Sequence, residues 1–226
     1  MGNVRKYLAK VEDVKNTIDD LYTITFSTIN RFKYFPGQFL HLALDEYDGI
    51  GQWPESRCFS MQSSPEDEFI KITFSVKGAF TSKMASCLTK GREVWLKLPF
   101  GDIFQRGHTF NNCVFIAGGT GITPFLSLFN SFEFRKYINP KIYLGFRSRE
   151  QNLYTDELKR IQNDSVQIKY YYQSKDGIID INKIYDECSN QSTYFISGPT
   201  VMIKSFRSFL IDAGLKYVQV NTDDWE

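Results

Sequence analysis

The segment Ala117-Gly118-Gly119-Thr120-Gly121-Ile122-Thr123-Pro124 stands between an apolar run at 113–117 and an apolar stretch with the spacing of a helix. A strand that turns at once into a helix needs backbone unencumbered by Cβ atoms, which glycine supplies. The first N–H groups of such a helix lack intrahelical acceptors and carry partial positive charge, which suits a phosphate. Thr123 is placed to act as N-cap and Pro124 as the first helical residue. A dinucleotide-binding turn of the usual kind has a third glycine where Pro124 stands, so this is a variant. A tight strand–helix turn without a ligand is the alternative reading of the same residues.

The rhythm around this turn divides the chain. After about Asn111, strands are expected at 113–117, 141–146, 166–172, 193–196 and 217–220, with helices from Pro124 and at 153–161, 181–188 and 201–213. That alternation predicts an open parallel sheet covered by helices on both faces. The first half reads differently. Runs at 4–14, 21–28, 38–44, 69–77 and 93–98 are rich in Val, Ile, Thr and aromatics, with partial period-2 alternation. Turn residues at Pro36-Gly37, Asp48-Gly49 and Ser64-Pro65 interrupt them, and one short helix fits at 82–88. These features predict an antiparallel barrel or sandwich. The polar segment 102–112 is the expected joint between the two domains.

Composition narrows the function classes. Of 226 residues, 27 are Lys or Arg and 26 Asp or Glu, so the near-neutral balance argues against a nucleic-acid partner. No apolar run approaches the roughly 18 residues of a membrane span. The opening residues lack the apolar core of a signal peptide. The four cysteines at 58, 87, 113 and 188 include no closely spaced pair, which argues against a metal site, a disulfide framework or an in-chain iron–sulfur cluster. A reducing cytoplasm is the expected setting. His41 and His108 are assigned to structure or surface, without evident partners.

Four motifs, in order, resemble those of the ferredoxin–NADP reductase superfamily. Arg57-Cys58-Phe59-Ser60, followed by Ser63, is similar to the family's Arg-x-Tyr-Ser signature. Gly78-Ala79-Phe80-Thr81 resembles its flavin-phosphate turn, and the glycine-rich turn at 118–124 its dinucleotide turn. Ser197-Gly198-Pro199-Thr200-Val201-Met202 resembles the Cys-Gly-Pro-x-x-Met segment on the nicotinamide side. The resemblance implies two domains: an N-terminal antiparallel β-barrel that binds flavin (1–106) and a C-terminal α/β parallel-sheet domain that binds NAD(P) (107–226).

The resemblance also implies roles. Arg57 neutralises a flavin phosphate through its planar fork, Cys58 and Phe59 lie along the flavin, and Ser60 hydrogen-bonds near the flavin N5. Ser75, Val76, Lys77, Gly78, Ala79, Phe80 and Thr81 touch the same cofactor. Gly119, Thr120, Gly121 and Pro124 receive the dinucleotide, while Gly198, Pro199 and Met202 give the nicotinamide room. Ser60, Ser197 and Trp225 form the expected catalytic set, with Trp225 stacking over the flavin. The tail carboxylates, Asp223 among them, stand near that face as a proton relay or as solvated terminus. Two departures stand out: Phe59 lacks the tyrosine hydroxyl, and Ser197 replaces the cysteine of many relatives.

By resemblance the cofactor is FAD in preference to FMN, and the donor is NADPH or NADH. Arg147-Ser148-Arg149 follows the second strand of the latter half, where a fold selecting NADH often carries an acid. A guanidinium there pairs with a ribose 2′-phosphate, which favours NADPH; two solvated surface arginines are the alternative. The expected activity is an NAD(P)H-dependent flavoprotein reductase with a separate ferredoxin-like acceptor. A reductase of free flavin or quinone, and a non-catalytic nucleotide-binding module, are the other readings.

Overall fold

The computed structural model describes residues 3–30, 32–188 and 190–223. Trp225 and the carboxylates of Asp224 and Glu226 lie outside the described residues.

Six strands form the first sheet: β1 (Arg5–Ile18), β2 (Leu21–Thr28), β3 (Phe39–Ala43), β4 (Ser56–Ser60), β5 (Ile70–Ser75) and β6 (Glu93–Phe100). Their order is β4-β3-β6-β1-β2-β5, antiparallel throughout. Strand alternation supplies the core, with Ala9 and Val11 of β1 and Ile24 and Phe26 of β2 buried. β1 breaks register after Val11 and after Asn16, and such bulges bend a long strand. The sheet curls until its two ends meet. Gln62 N donates to Lys71 O at 2.7 Å, and the Phe59 and Phe74 rings lie 5.9 Å apart. Helix α1 (Ala79–Cys87) plugs the barrel with Phe80 and Met84.

The second sheet is parallel, in the order β11-β10-β7-β8-β9. It comprises β7 (Cys113–Gly118), β8 (Lys141–Phe146), β9 (Gln167–Tyr172), β10 (Thr193–Ser197) and β11 (Val220–Thr222). The helices are α2 (Thr123–Phe129), α3 (Thr155–Ile161), α4 (Gln173–Asp176), α5 (Ile181–Glu187) and α6 (Thr200–Asp212). Both faces are covered, so the central strand carries apolar residues without a break. Cys113, Phe115 and Ala117 face the core shared with Phe125 of α2 and Leu158 of α3. Val114 and Ile116 face the core shared with Ile184 of α5 and Phe206 of α6. Each fully buried large side chain, such as Phe115, contributes about 1.5–3 kcal/mol of transfer free energy.

The halves also bond to each other. Ser127 Oγ of α2 donates to Ser63 O at 2.7 Å. Gln62 Nε2 donates to Glu157 Oε1 of α3 at 3.3 Å, while its Oε1 accepts from Thr73 Oγ1 at 2.6 Å.

Several expectations need correction. The stretch 217–220 is a 3-10 turn, Tyr217–Gln219, and the strand begins only at Val220, where pairing with Tyr194 sets in. The helix expected at 82–88 begins at Ala79 instead. Thr123 is not an N-cap: a 3-10 turn at Gly119–Ile122 runs directly into α2, so Thr123 is already helical. Its hydroxyl donates backward to Thr120 O at 2.9 Å, and Pro124 sits inside the first turn. β4 is a strand that the polar residues Arg57, Cys58 and Ser60 disguise. Both histidines have partners. His41 lies beside Cys58, and His108 bridges Arg106 O and Tyr137 Oη.

Candidate functional site

On the barrel side, two of the sequence motifs come together. Arg57 is exposed on β4, and its guanidinium lies over the Phe80 ring, 5.0 Å from the centroid, beside the start of α1. It donates to Ser56 O at 2.8 Å and to Glu55 Oε1 at 2.9 Å. Both partners of that ion pair are more than half exposed, so it contributes little, and the remaining guanidinium donors can take an anion. Thr81 Oγ1 accepts from Lys77 N at 2.9 Å and Gly78 N at 3.1 Å, and donates to Gly78 O, tying up the turn. In front of that turn is open ground: a Cβ built on Gly78 meets nothing within 4 Å. A helix start beside a guanidinium, with space between, is an anion cradle. Ser75 ends β5 opposite Leu21, and Val76 packs against the barrel core with its N–H on Asp20 O. Phe59 is buried against Phe74, whereas Cys58 points to the other side of β4, toward His41.

In the parallel half, the chain leaves β7 toward β8 on one side, while β10 and β11 lie on the other. A crevice at such a reversal, beyond the carboxyl ends of the strands, is where this kind of sheet binds ligands. The two turns at this point are fused. A Cβ on Gly121 would stand 2.4 Å from Gly198 Cα, and one on Gly118 would stand 3.0 Å from Pro199 Cδ and 3.1 Å from Met202 Sδ. Gly198 adopts φ +149°, and a Cβ there would stand 2.8 Å from Met202 Cε. Gly119 (φ +56°) is exposed in the same turn, and Pro124 is buried behind it. Arg147 is exposed just past β8, its carbonyl held by Ser174 N at 3.1 Å.

The halves converge on one carboxylate. Ser60 Oγ donates to Asp223 Oδ2 at 3.4 Å, and Ser197 Oγ donates to the same oxygen at 3.2 Å. Both serines are buried, and Asp223 N donates to Ile196 O at 3.0 Å, which fixes the carboxylate just past β11. Ser60 and Ser197 are therefore brought together, although 137 positions separate them (197 less 60). Asp223 was visible in the sequence only as one of several tail acids. Its place at the junction depends on the pairing of β11 with β10, which no local signal reveals.

The comparisons with known proteins follow the same division. The family model "FAD-binding domain" matches residues 6–122, half of the chain, and "Oxidoreductase NAD-binding domain" matches 115–208. Methane monooxygenase component C of Methylosinus trichosporium is 35% identical over 132 residues, covering 57% of this chain and 37% of that protein. The anthranilate 1,2-dioxygenase electron transfer component of Acinetobacter baylyi is 24% identical over 235 residues, covering 94% of this chain and 66% of that protein. The chain thus spans less than two thirds of the length of either relative. Among solved structures, a ferredoxin NADP+ reductase from Neisseria gonorrhoeae with bound FAD and NADP superposes with a TM-score of 0.81 at 17% identity, covering 99% of each chain. The open cradle at Gly78 beside Arg57 fits a phosphate-bearing flavin, and the fused turns at the reversal of the second sheet fit a pyridine dinucleotide. With the FAD-binding model over half of the chain and the oxidoreductase NAD-binding model overlapping its end and running to 208 on this two-part fold, the chain belongs to the ferredoxin–NADP reductase superfamily of FAD- and NAD-binding oxidoreductases.

Proposed function

We propose that this chain takes electrons from NADPH through bound FAD and delivers them to a separate protein acceptor of the ferredoxin type. The observation that carries this reading is the meeting of Ser60, from the flavin motif, with Ser197, from the nicotinamide motif, on Asp223. When bound, the flavin supplies the exchange between a two-electron donor and one-electron acceptors. The chain supplies binding, orientation and electrostatics.

Arg57 and the N–H groups at the start of α1 hold the flavin's phosphates, while Phe59 gives a ring for stacking. Ser75, Val76 and Lys77 line the approach to that turn, and Cys58 supports β4 from behind. The turn at Gly119, Thr120 and Gly121 receives the dinucleotide pyrophosphate, with Pro124 stiffening the helix behind it. Gly198 and Pro199 keep the space above Ser197 clear, and Met202 packs against their turn. Ser60 and Ser197 present hydroxyls whose direction Asp223 sets by accepting from both. That arrangement aligns the reacting faces and keeps a carboxylate ready to hold a proton beside them. We place the division of labour at 106/107, within the segment that links β6 to β7.

NADPH is preferred to NADH because Arg147 is exposed at the carboxyl end of β8, where a 2′-phosphate can be paired. A separate acceptor is favoured because one relative is named as an electron transfer component. Among the described residues, no group of three or more His, Cys, Asp or Glu side chains could hold a metal. A second reading, a small-molecule acceptor such as a quinone, draws on a Na(+)-translocating NADH-quinone reductase component from Haemophilus ducreyi, 25% identical over 202 residues.

The test is a visible spectrum of the purified chain supplied with FAD, followed by anaerobic titration with NADPH and with NADH. The expected result is a yellow protein that NADPH bleaches at the lower concentration. A chain that stays colourless in excess FAD overturns the reading. Reoxidation by a ferredoxin, compared with a quinone in stopped flow, then separates the two acceptors.

A further inference from the structure

The reverse side of the flavin-motif strand carries a second chemical arrangement. β3 pairs with β4 so that His41 stands across from Cys58. Cys58 Sγ lies 3.5 Å from His41 Nε2 and 3.6 Å from Nδ1, so either ring nitrogen is in reach of the thiol. On the other side of β3, Lys97 of β6 stands across from His41. Partial burial first, and the Lys97 ammonium second, hold the imidazole below its ordinary pKa. His41 is therefore a neutral base at pH 7, with a fixed positive charge nearby. The Phe100 ring, 4.7 Å away and edge-on, and the Phe39 ring, 5.9 Å away, pack around the imidazole.

A thiol and a proton acceptor within reach of each other in one partly exposed place are what a nucleophilic cysteine needs. The other cysteines differ. Cys113 is fully buried, and burial pushes its thiol up to about 12. Cys188 lies 3.7 Å from the Tyr143 hydroxyl and 3.9 Å from the Lys141 ammonium, with no imidazole among these contacts. Cys87 is partly buried near the end of α1.

We propose that Cys58 is a thiol–disulfide exchange site for small disulfides, with His41 as its base, and that an adduct there loosens the hold of β4 on the flavin. The second half of this inference rests on the function proposed above. In the exchange, the Cys58 thiol gives its proton to His41 and the sulfur attacks one sulfur of the disulfide. That S–S bond breaks, a mixed disulfide forms, and the departing thiolate takes the proton from His41. The Cys58 sulfur is oxidised and the departing sulfur reduced, so no further reactant is needed. The adduct stands between β4 and the aromatic packing around His41, and Arg57 and Phe59 flank Cys58 on that strand. Displacing β4 from β3 therefore moves both flavin-holding side chains.

The experiment is incubation of the full chain with oxidised glutathione, with adducts located by peptide mass spectrometry and bound flavin measured in parallel. Cys58 should be modified at least about tenfold faster than Cys87 or Cys188. His41→Gln should remove most of that advantage. Lys97→Gln, a separate change on a different strand, lifts the charge that depresses the imidazole and should raise it. Modified chain should lose flavin and regain it after reduction with a thiol. Equal rates at the three partly buried cysteines, or an unchanged Cys58 rate in both variants, would overturn the site. Full modification with flavin retained would overturn the coupling to β4. A chain that never holds flavin would instead sink the function proposed above, while the relative rates would still decide whether Cys58 is the site.

Discussion

In the barrel half a Cβ built on Gly78 meets nothing within 4 Å, whereas in the parallel half one built on Gly121 stands 2.4 Å from Gly198 Cα. One residue type serves two opposite ends. At Gly78 the missing side chain leaves room for something outside the protein; at Gly121 it lets two backbone turns touch. The barrel half meets its ligand with side chains and a helix start, Arg57 and α1, while the parallel half meets its ligand with backbone already locked in shape. The two sites should therefore respond differently to the same substitution.

The largest effect is expected at the locked site. Gly121→Val drives a branched side chain into the backbone of Gly198, and overpacking of this kind costs about 1–3 kcal/mol or more. Reduction by NADPH should fall by about 100-fold, as misplacement near the reacting groups commonly does. Flavin content should stay unchanged, because the barrel half is untouched. Anaerobic stopped-flow reduction and flavin quantitation read both outcomes. Normal reduction kinetics in a folded Gly121→Val protein would break the comparison.

A smaller effect is expected from the side chain that the barrel half relies on. Arg57→Ala removes charge-assisted hydrogen bonds worth about 1.5–3 kcal/mol, which weakens FAD binding about 10–100-fold. Glu55→Ala sharpens the point. Glu55 holds Arg57 at 2.9 Å in the structure, so its removal frees the fork and should tighten FAD or leave it unchanged. Titration of the flavin-free protein with FAD measures both variants. A Glu55→Ala protein that binds FAD as poorly as Arg57→Ala would show that the pair, rather than Arg57 alone, builds the cradle.

Gly78→Ala tests the open ground more gently. Gly78 is extended, at φ −171° and ψ −176°, which any residue adopts. Thermal stability should therefore change by less than about 0.5 kcal/mol. FAD affinity should fall several-fold where Gly121→Val leaves it intact, because the added methyl occupies ligand space and nothing else. Unchanged affinity would mean that the flavin phosphates lie elsewhere.

What the sequence disclosed follows the same contrast. β2 and β8 could be read with their observed limits, since alternation in Leu21–Thr28 and the apolar run in Lys141–Phe146 are local signals. β4 could not, because five residues that include Arg57, Cys58 and Ser60 look like loop until β3 supplies the ladder. β1 runs on to Ile18 past the expected end because bulges let a polar stretch keep pairing with β2. At the site, the four motifs were legible as segments, and the structure joins Arg57 to Phe80 and Gly121 to Gly198. The role of Asp223 was not legible, since it arises only where β10, β11 and β4 meet. The pairing of His41 with Cys58 was hidden for the same reason: cross-strand neighbours 17 positions apart leave no periodic trace.

The smallest expected effect lies in the barrel half, where a side chain carries the chemistry and pH can reach it. His41 is held below its ordinary 6.5 by burial first and by Lys97 second, so the fold favours the neutral ring while the unfolded chain takes the proton more readily. A group depressed in this way stabilises the fold above about pH 6.5 and loses that contribution as pH falls. Because the ring is partly exposed, solvent weakens the effect to a fraction of a kcal/mol. Urea unfolding at about pH 7.5 and about pH 5.5 should show a loss of stability in the natural chain that is smaller in His41→Gln. Identical losses in the two proteins would mean that Lys97 and burial leave the ring as free to protonate in the fold as outside it.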